Sequence, residues 1–273
     1  MASPLRTRRR GSDGGVPDSR RVLNDGTRVV DILYGRNAVL EALRAGRPAR
    51  KLVIASGTRD EARMREILAT AQARGITIEE SPRHRLDDIA HTEHHQGVTG
   101  YFHARESLSL PRLLDAAHEP ALLLVLDGIQ DPQNLGAMAR TAEACAVDGI
   151  VLSRHHATGV TPAAAKSSAG AIEHMSLALV GNLAQALELI RERGLWRVGL
   201  DAAAPHRYDS FDYTQPVAIV VGAEGRGMRS LTATRCDALV HIPMLGHVAS
   251  LNAAASAAVL LYEVQRQRGF ARA

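Results

Sequence analysis

Blocks of apolar residues recur along most of the chain at spacings that predict two successive α/β units. In the first unit, residues 29–104, strands alternate with helices: strands are predicted at 51–56, 76–81 and 97–102, and helices at 35–46, 60–74 and near 84–90. Strands and helices of this length are typical of a small α/β domain.

A second, larger unit is predicted over residues 120–273, after a polar linker at 105–119 that holds one short helix. Its strands are predicted at 121–127, 149–153, 177–180, 197–201, 217–222 and 238–243, and its helices near 133–146, 162–172, 182–193, 229–236 and 250–267. This alternation favours a mostly parallel sheet covered by helices. The expected fold class is therefore α/β in both units.

The positive charge of the chain is concentrated at its N-terminus. Residues 1–21 hold six arginines and two aspartates, which account for the whole formal net charge of +4. Because few apolar residues accompany them, residues 1–28 are expected to form a disordered, Arg-rich tail. This tail either docks on phosphate groups or is a solvated extension without a specific role, and composition does not separate the two.

Several classes of protein are excluded by composition. The chain has no run of about 18 uncharged apolar residues, which excludes a transmembrane span, and its N-terminus lacks the apolar region of a secretory signal. A cytoplasmic protein is therefore expected. Cys145 and Cys236 lie far apart and are expected to be buried thiols rather than a disulfide or a zinc site.

The stretch "LVLDGIQDPQNLGAMAR", residues 124–140, places polar side chains just beyond a predicted strand. A turn at Asp127-Gly128 follows the strand, and then a helix that carries Asn134 and Arg140. Open α/β sheets bind ligands at the carboxyl ends of their strands. Asn134 and Arg140 are therefore candidate site residues.

A strand also leads into the glycine-rich stretch "PVAIVVGAEGRGM", residues 216–228. Gly222, Gly225 and Gly227 have the reverse of the spacing that binds dinucleotides, and the chain has no P-loop, so neither an NAD site nor a nucleoside triphosphate site is expected. Glycines after a strand indicate a tight turn or a closely approached backbone. Glu224 within this turn is either solvated or holds a cation.

The third stretch, "HIPMLGHVASLN" at residues 241–252, precedes the predicted final helix. Ser250 is expected to cap that helix, since a serine hydroxyl accepts a hydrogen bond from a free backbone N–H of the first turn. Asn252 is a poor helix former on the expected first turn, and packing does not explain it. Ser250 and Asn252 therefore form a third polar group at a strand end.

These stretches resemble the three motifs of the SpoU branch of the SPOUT RNA 2′-O-ribose methyltransferases. The motifs are N-x-G-x-x-x-R in "NLGAMAR", G-x-E-x-x-G in "GAEGRG" and I-P-M-x-G-x-x-x-S-L-N in "IPMLGHVASLN", and "KSSAGAIEH" at 166–174 is similar to a further family signature. The resemblance covers about residues 120–267. In the first unit, "YGRNAVLEAL" and "HQGVTGYF" resemble the substrate-recognition domain of the RlmB-type enzymes, which methylate a guanosine ribose in large-subunit ribosomal RNA.

The resemblance implies a trefoil knot in the C-terminal domain, S-adenosyl-L-methionine as cofactor, and a homodimer whose two subunits complete the site. The backbone at Gly222, Ile242 and Leu251 would hold the adenosine, and Met244 and Leu251 would form apolar walls. It implies no metal.

The catalytic set implied by the same resemblance is Asn134, Arg140, Glu224, Ser250 and Asn252. Because a guanidinium stays protonated in proteins, we expect Arg140 to act as a fixed positive charge that stabilises the forming alkoxide and binds the adjacent phosphate. Asn134 and Asn252 would orient the ribose and the phosphate. Glu224 would hold Arg140 or a neighbouring amide.

Three functions stay open at this point. The first, favoured by the small N-terminal unit, is methylation of a guanosine in 23S rRNA, either free or in a pre-ribosomal particle. The second is a tRNA 2′-O-methyltransferase of the TrmH type. The third is a catalytically silent RNA-binding assembly protein on the same fold, against which the intact polar residues argue.

Histidines and a lysine are further candidates outside the three stretches. His91, His94 and His95 have no cysteine or second cluster beside them, so no metal site is expected. His95 and Gln96 are expected at the RNA-facing end of the small unit, and Lys166 either contacts phosphate or is solvated. Aromatic residues make up only 3% of the chain, so RNA recognition is expected to use arginines, amides and RNA shape rather than base stacking.

Overall fold

The structure, a computed structural model, describes residues 20–22, 29–58, 61–154 and 161–270. Most of the expected disordered tail, 1–19 and 23–28, lies outside the described residues, as does position 60, where a helix was predicted to begin. The described part of the tail, Arg20–Val22, forms a short β-strand instead.

Within the described residues, five strands form the sheet of the N-terminal unit, in the order β1-β2-β5-β3-β4. β3 and β4 run parallel, and the other neighbours are antiparallel. The strands are β1 (Arg20–Val22), β2 (Val29–Tyr34), β3 (Ala49–Ala55), β4 (Thr77–Ser81) and β5 (Val98–His103).

The apolar pattern did not predict β2, although it carries a signal. Val30 and Ile32 are buried and alternate with Asp31, which is the period of two that a strand requires. The carboxylate of Asp31 interrupts the apolar run and is bound by Arg47 from outside the strand. The pattern of residues within the strand cannot indicate that Arg47 binds Asp31.

Three helices pack on the two faces of this sheet: α1 (Arg36–Arg44), α2 (Ala62–Ala73) and α3 (Arg83–Ala90). α1 and α2 cover the face that carries Leu52 and Phe102. α3 covers the opposite face through Leu86 and Ile89.

Seven parallel strands form the second sheet of the described chain, in the order β10-β12-β9-β11-β6-β7-β8. This confirms the mostly parallel sheet. All residues of β6, β7 and β11 are buried, as expected for parallel strands that helices cover on both faces. The strands are β6 (Leu122–Asp127), β7 (Gly149–Ser153), β8 (Leu177–Val180), β9 (Trp196–Leu200), β10 (His206–Arg207), β11 (Val217–Gly222) and β12 (Ala238–His241).

Helices cover both faces of the second sheet. α5 and α9 share one apolar core, and α4 and α7 share the core on the other face. In the described ranges the helices are α4 (Leu110–Asp115), α5 (Pro132–Ala144), α6 (Pro162–Ser167), α7 (Leu183–Glu192), α8 (Ser230–Ala233) and α9 (Ala253–Gln267). None of the described helices is both long enough and apolar enough to cross a bilayer.

The helix predicted at 162–172 is interrupted after α6. Ala169 and Gly170 adopt left-handed φ values of 53° and 89°, and a 3-10 turn follows at Ala171–His174. A Cβ on Gly170 would lie 2.6 Å from the Cβ of Glu41 in α1. The glycine therefore allows a helix of the small unit to approach the large one closely.

A buried ion cluster joins the two units. The guanidinium of Arg47 donates to both carboxylate oxygens of Glu173, at 3.0 and 3.1 Å, to the carboxylate of Asp31, and to the carbonyl of His103 at 3.0 Å. The side chains of Arg47 and Glu173 are only 8% and 2% exposed. Arg105 donates to two backbone carbonyl groups in and just after the 3-10 turn. These contacts fix the small sheet against the large one.

Candidate active site

The carboxyl ends of β6, β11 and β12 bring the three polar stretches together. β6 and β11 are neighbours whose last residues, Asp127 and Gly222, pair in register. β12 lies two strands from β11, with β9 between them. Because parallel strands all end at the same edge of a sheet, the segments that follow these strands start close to one another.

The glycine-rich stretch after β11 folds into a closed turn. Ala223 and Gly227 exchange two backbone hydrogen bonds, of 3.1 and 2.8 Å, and Gly225 and Gly227 have φ values of 75° and 67°. Gly222 has no room for a side chain, because a Cβ would lie 2.1 Å from the carbonyl carbon of Gly227. The turn presents Glu224 as an exposed residue near its tip.

Asp127 holds the segment that leaves this turn. Its carboxylate accepts from the backbone N–H of Arg229 at 2.8 Å and from Nε of Arg229 at 2.7 Å, and its side chain is fully buried. Hydrogen bonds between ionised groups in a buried position are short and strong. The end of β6 is thereby tied to the residues after the turn.

Three of the predicted site residues form one hydrogen-bonded group. Nδ2 of Asn134 donates to Oε2 of Glu224 at 3.2 Å. Nδ2 of Asn252 donates to Oδ1 of Asn134 at 2.9 Å and to Oε2 of Glu224 at 3.3 Å. The Asn252 amide is oriented from its other side, since its Oδ1 accepts from the backbone N–H groups of Ala254 and Ala255. Glu224 was expected to hold either Arg140 or a neighbouring amide. In the structure it binds the amides of Asn134 and Asn252.

The predicted cap of the last helix was wrong. Asn252, not Ser250, is the N-cap of α9, with φ −53° and ψ 144° just outside the helix. Asparagine caps helices as well as serine does. Ser250 and Asn252 are therefore both candidates for the N-cap, and the sequence alone does not decide between them. Ser250 is exposed and lines the neighbouring cavity.

A cavity of about 360 Å³ lies beside the hydrogen-bonded group. Small-molecule sites usually measure about 300–1,000 Å³. Apolar side chains and the closed turn form much of its wall. Six of the predicted site residues line it: Gly222, Glu224, Ile242, Met244, Ser250 and Leu251.

Other parts of the cavity wall were not predicted. Among them are residues 200–202, at the end of β9 and just beyond it, and Arg226, in the closed turn. β9 pairs with β11 in the sheet, so the rule that ligands bind at strand ends would have pointed to 200–202 once the strand order was known. Arg226 adds an exposed cation beside Glu224.

Arg140 is not part of the hydrogen-bonded group within this chain. It is an exposed residue of α5, and its side chain makes no hydrogen bond or ion pair with any residue that the structure describes. Residues six apart on a helix do not share a face, so α5 alone cannot bring Asn134 and Arg140 to the same point.

His95 is fully buried, which contradicts its expected place at an RNA-facing end. Its Nδ1 accepts from the backbone N–H of Gly97 at 3.0 Å, and its Nε2 lies 2.9 Å from Oδ1 of Asp87. The first contact requires the proton to sit on Nε2, which donates to Asp87. Desolvation lowers the pKa of His95, so the ring is a neutral structural residue.

Gln96 and Lys166 make contacts inside the chain. Oε1 of Gln96 accepts from the backbone N–H of Arg36 at 3.0 Å. Nζ of Lys166 donates to the carbonyl of His94 at 2.9 Å and lies 5.7 Å from the centroid of the Tyr34 ring. Lys166 belongs to α6, so it links the large unit to the small one.

The two cysteines are free thiols. Burial raises the pKa of Cys145 to about 11 and that of Cys236 to about 12. Within the described ranges, no three His, Cys, Asp or Glu side chains are grouped as a metal ion would require. The polar chemistry at this sheet edge therefore comes from amides, carboxylates, hydroxyls and guanidinium groups.

Both units of the chain match known proteins. The model of the SpoU rRNA Methylase family matches residues 121–262, and that for RNA 2'-O ribose methyltransferase substrate binding matches residues 32–108. A relative from Bacillus subtilis (strain 168), "Putative TrmH family tRNA/rRNA methyltransferase YacO", is 43% identical and covers 87% of this chain and 96% of its own.

Solved structures also match, among them two at 26% identity that hold AdoMet. The SpoU methyltransferase AviRb from Streptomyces viridochromogenes, in complex with the cofactor AdoMet, has a TM-score of 0.74 and covers 88% of this chain and 91% of its own. The AdoMet-bound rRNA methyltransferase from Sinorhizobium meliloti has a TM-score of 0.72 and covers 87% of each chain.

The two family matches, the Bacillus subtilis relative and the AdoMet-bound structures together show that the chain is an S-adenosyl-L-methionine-dependent RNA methyltransferase. The chain belongs to the SpoU rRNA methylase family. The three stretches that resemble the family motifs are those that converge at the edge of the second sheet.

Proposed function

We propose that the chain methylates the 2′-hydroxyl of a guanosine ribose in 23S rRNA, with S-adenosyl-L-methionine as methyl donor. The observation that carries this proposal is the group of Asn134, Glu224 and Asn252 beside a cavity of about 360 Å³. Similarity to an rRNA methyltransferase over 87% of both chains favours ribosomal RNA over tRNA. We assign RNA binding to residues 29–104 and catalysis to residues 120–273, joined by the linker at 105–119.

The walls of the cavity fit the methyl donor. The apolar side chains of Ile242, Met244 and Leu251 suit an adenine ring, and the backbone of the closed turn from Gly222 to Gly227 forms another part of the wall. When bound, the donor supplies an electrophilic methyl group on a positively charged sulfonium. The two crystal structures described above hold this cofactor. We also expect the chain to thread through a trefoil knot here, as in the family it resembles.

The amide group is suited to hold the acceptor ribose. Oε2 of Glu224 accepts from both amides, which leaves Oε1 of the carboxylate free to accept from a hydroxyl group. The orientation of Asn252 is fixed by α9, so the group is set before the substrate arrives. A preset arrangement of donors and acceptors lowers the cost of aligning the hydroxyl with the methyl group.

Arg140 would complete this site from a second subunit. Within one subunit its side chain makes no hydrogen bond or ion pair with any of the three residues, and an exposed guanidinium is available to another chain. Its fixed charge would stabilise the forming alkoxide and bind the adjacent phosphate. The proposal therefore includes a homodimer with shared sites.

Ribose-methyl mapping in a strain that lacks the protein tests the substrate. The expected result is the loss of one methyl group from a guanosine of 23S rRNA, with tRNA unchanged. Loss from tRNA instead would assign the TrmH type of substrate. Intact methylation, together with no binding of S-adenosyl-L-methionine by calorimetry, would support a silent assembly protein and refute the proposal.

Arg140→Ala should abolish methylation and leave the affinity for S-adenosyl-L-methionine nearly unchanged, because the cavity does not include Arg140. Arg140→Lys keeps the positive charge but removes the planar guanidinium with its paired N–H donors. It therefore separates the contribution of charge from that of guanidinium geometry. Mixed with Glu224→Gln, the Arg140→Ala protein should regain part of the activity, since each mixed dimer has one intact site. Collapse of cofactor affinity would contradict the assigned role, and the absence of any recovery would contradict a shared site.

A further inference from the structure

A second cavity opens at the same edge of the large sheet. It measures about 270 Å³ and is lined by Ser153, residues 181–184, Arg229, Leu231 and Thr232. Met228 lines the candidate active site, and the next residue, Arg229, lines this cavity. The two cavities are therefore adjacent. Its volume lies just below the range of about 300–1,000 Å³ for drug-sized ligands, so it suits a small group.

The N-terminus of α7 opens onto this cavity. Leu183 and Ala184, in the first turn, line it, and N–H groups at these positions have no acceptor within a helix. The side-chain oxygen of the N-cap Asn182 accepts from the N–H of Gln185, the third residue of the helix. A helix N-terminus also carries a partial positive charge. This end of the cavity therefore offers unused donors.

The hydroxyl group of Ser153 lines the same cavity and has no partner among the described residues. Ser153, at the end of β7, is 3% exposed, and its side chain makes no hydrogen bond to any described residue. An unpaired polar group in a buried position costs free energy unless a ligand or water completes it. Ser153 therefore points to a bound group with hydrogen-bond acceptors.

Arg229 adds a cation that is already held in place. Its Nε and Nη2 contact the buried carboxylate of Asp127 at 2.7 Å. Its Nη1 has no partner among the described residues, and the side chain is 47% exposed. Among the residues that the structure describes, no Asp or Glu side chain lines the cavity.

We propose that this cavity binds a backbone phosphodiester of the RNA substrate, beside the nucleotide that enters the active site. Donors from a helix terminus, a hydroxyl and a guanidinium are those that hold phosphate oxygens in nucleic-acid complexes. The proximity of the cavity to the active site favours the RNA chain over free phosphate as the occupant. This inference rests on the proposed function.

Gly181 offers a direct test. A Cβ at this position would meet no atom within 4 Å, and φ is outside the left-handed region, so a side chain can be added without overlap. Gly181→Asp places a carboxylate at the cavity, and an acidic group next to a helix N-terminus does not destabilise the helix. Gly181→Asn is the neutral control of the same shape. Gln185→Glu adds the same charge on an exposed position of α7 outside the cavity.

The probe is unmodified 23S rRNA made by transcription, and the measurements are kcat, KM for RNA, and RNA affinity as a function of salt. Relative to Gly181→Asn, the Asp variant should raise KM several-fold and leave kcat and cofactor affinity unchanged. The slope of log affinity against log salt should fall by about 0.7–0.9, which corresponds to one lost phosphate contact.

Equal RNA affinity of the Asp and Asn variants would overturn the inference, as would an equal loss in Gln185→Glu. Inorganic phosphate binding that the Asp variant loses without any change in KM for RNA would show a site for small anions only, and would also overturn it. A wild-type protein that methylates neither 23S rRNA nor any other RNA contradicts the proposed function instead, so the two failures are distinguishable.

Discussion

Removing the charge of Glu173 should loosen the small unit from the large one. Glu173 accepts two hydrogen bonds from Arg47, and the two side chains are 2% and 8% exposed. Breaking a buried ion pair by removing one partner costs about 3–5 kcal/mol, because the other charge stays buried. Arg47 keeps Asp31 as a second carboxylate, so we expect Glu173→Gln to cost about 3 kcal/mol, at the low end of that range.

Denaturant unfolding followed by two signals measures this effect. Trp196 is the single tryptophan of the chain and lies in the large sheet, so its fluorescence reports the large unit, whereas circular dichroism reports both. In the wild type the two transitions should coincide. In Glu173→Gln the dichroism should begin to change at a lower denaturant concentration, since coincidence of signals is lost when parts of a protein unfold separately.

Controls separate the buried pair from a general effect of charge. Glu192→Gln removes a carboxylate from an exposed position on α7 and should change stability by less than about 0.5 kcal/mol. The double variant Arg47→Met with Glu173→Met should recover part of the loss, because it leaves no buried guanidinium and only the partly exposed carboxylate of Asp31 without its partner. A loss below about 1 kcal/mol in Glu173→Gln, the size seen for exposed pairs, with coincident transitions would refute this account of the interface.

Two other predictions concern the last helix and the thiols. Asn252→Ala should lose about 1 kcal/mol through the missing cap as well as methylation; Asn252→Asp should keep most of the stability but not the activity, because it places a second carboxylate beside Glu224. Urea unfolding and a methylation assay separate these effects, and equal stability of the two variants would argue against the cap. Burial raises the pKa of Cys145 to about 11 and that of Cys236 to about 12, so at about pH 8 roughly one thiol in a thousand, or fewer, is ionised. Iodoacetamide should label the folded protein slowly and the urea-unfolded protein quickly; fast labelling of the folded protein would contradict the burial.

The large sheet was predictable because its strands are buried on both faces. Such strands appear in the sequence as continuous apolar runs, and the six predicted ones lie within two residues of β6, β7, β8, β9, β11 and β12. β2 was missed because Asp31 interrupts it, and β10 because it is two exposed residues. The break at Gly170 was missed because its cause is the approach of Glu41 from the other unit.

The sequence indicated which residues form the candidate site, but it did not indicate which of them contact one another. Asn134, Glu224 and Asn252 were all singled out, but Glu224 was offered two partners and Ser250 was assigned the cap. The residues that meet are 90 and 118 positions apart in the chain. Whether they meet depends on the order of strands in the sheet, which local patterns do not determine.

Asp127 connects the two cavities at the sheet edge. It fixes Arg229, and Arg229 follows directly on the closed turn that carries Glu224. A phosphate held at Arg229 would therefore stand at a set distance from the ribose held at Glu224, because a short, hydrogen-bonded segment of one chain separates them. Alignment of the reacting hydroxyl requires such a fixed spacing. If both proposals hold, the small unit would select the RNA, and residues 222–229 would determine where its backbone lies.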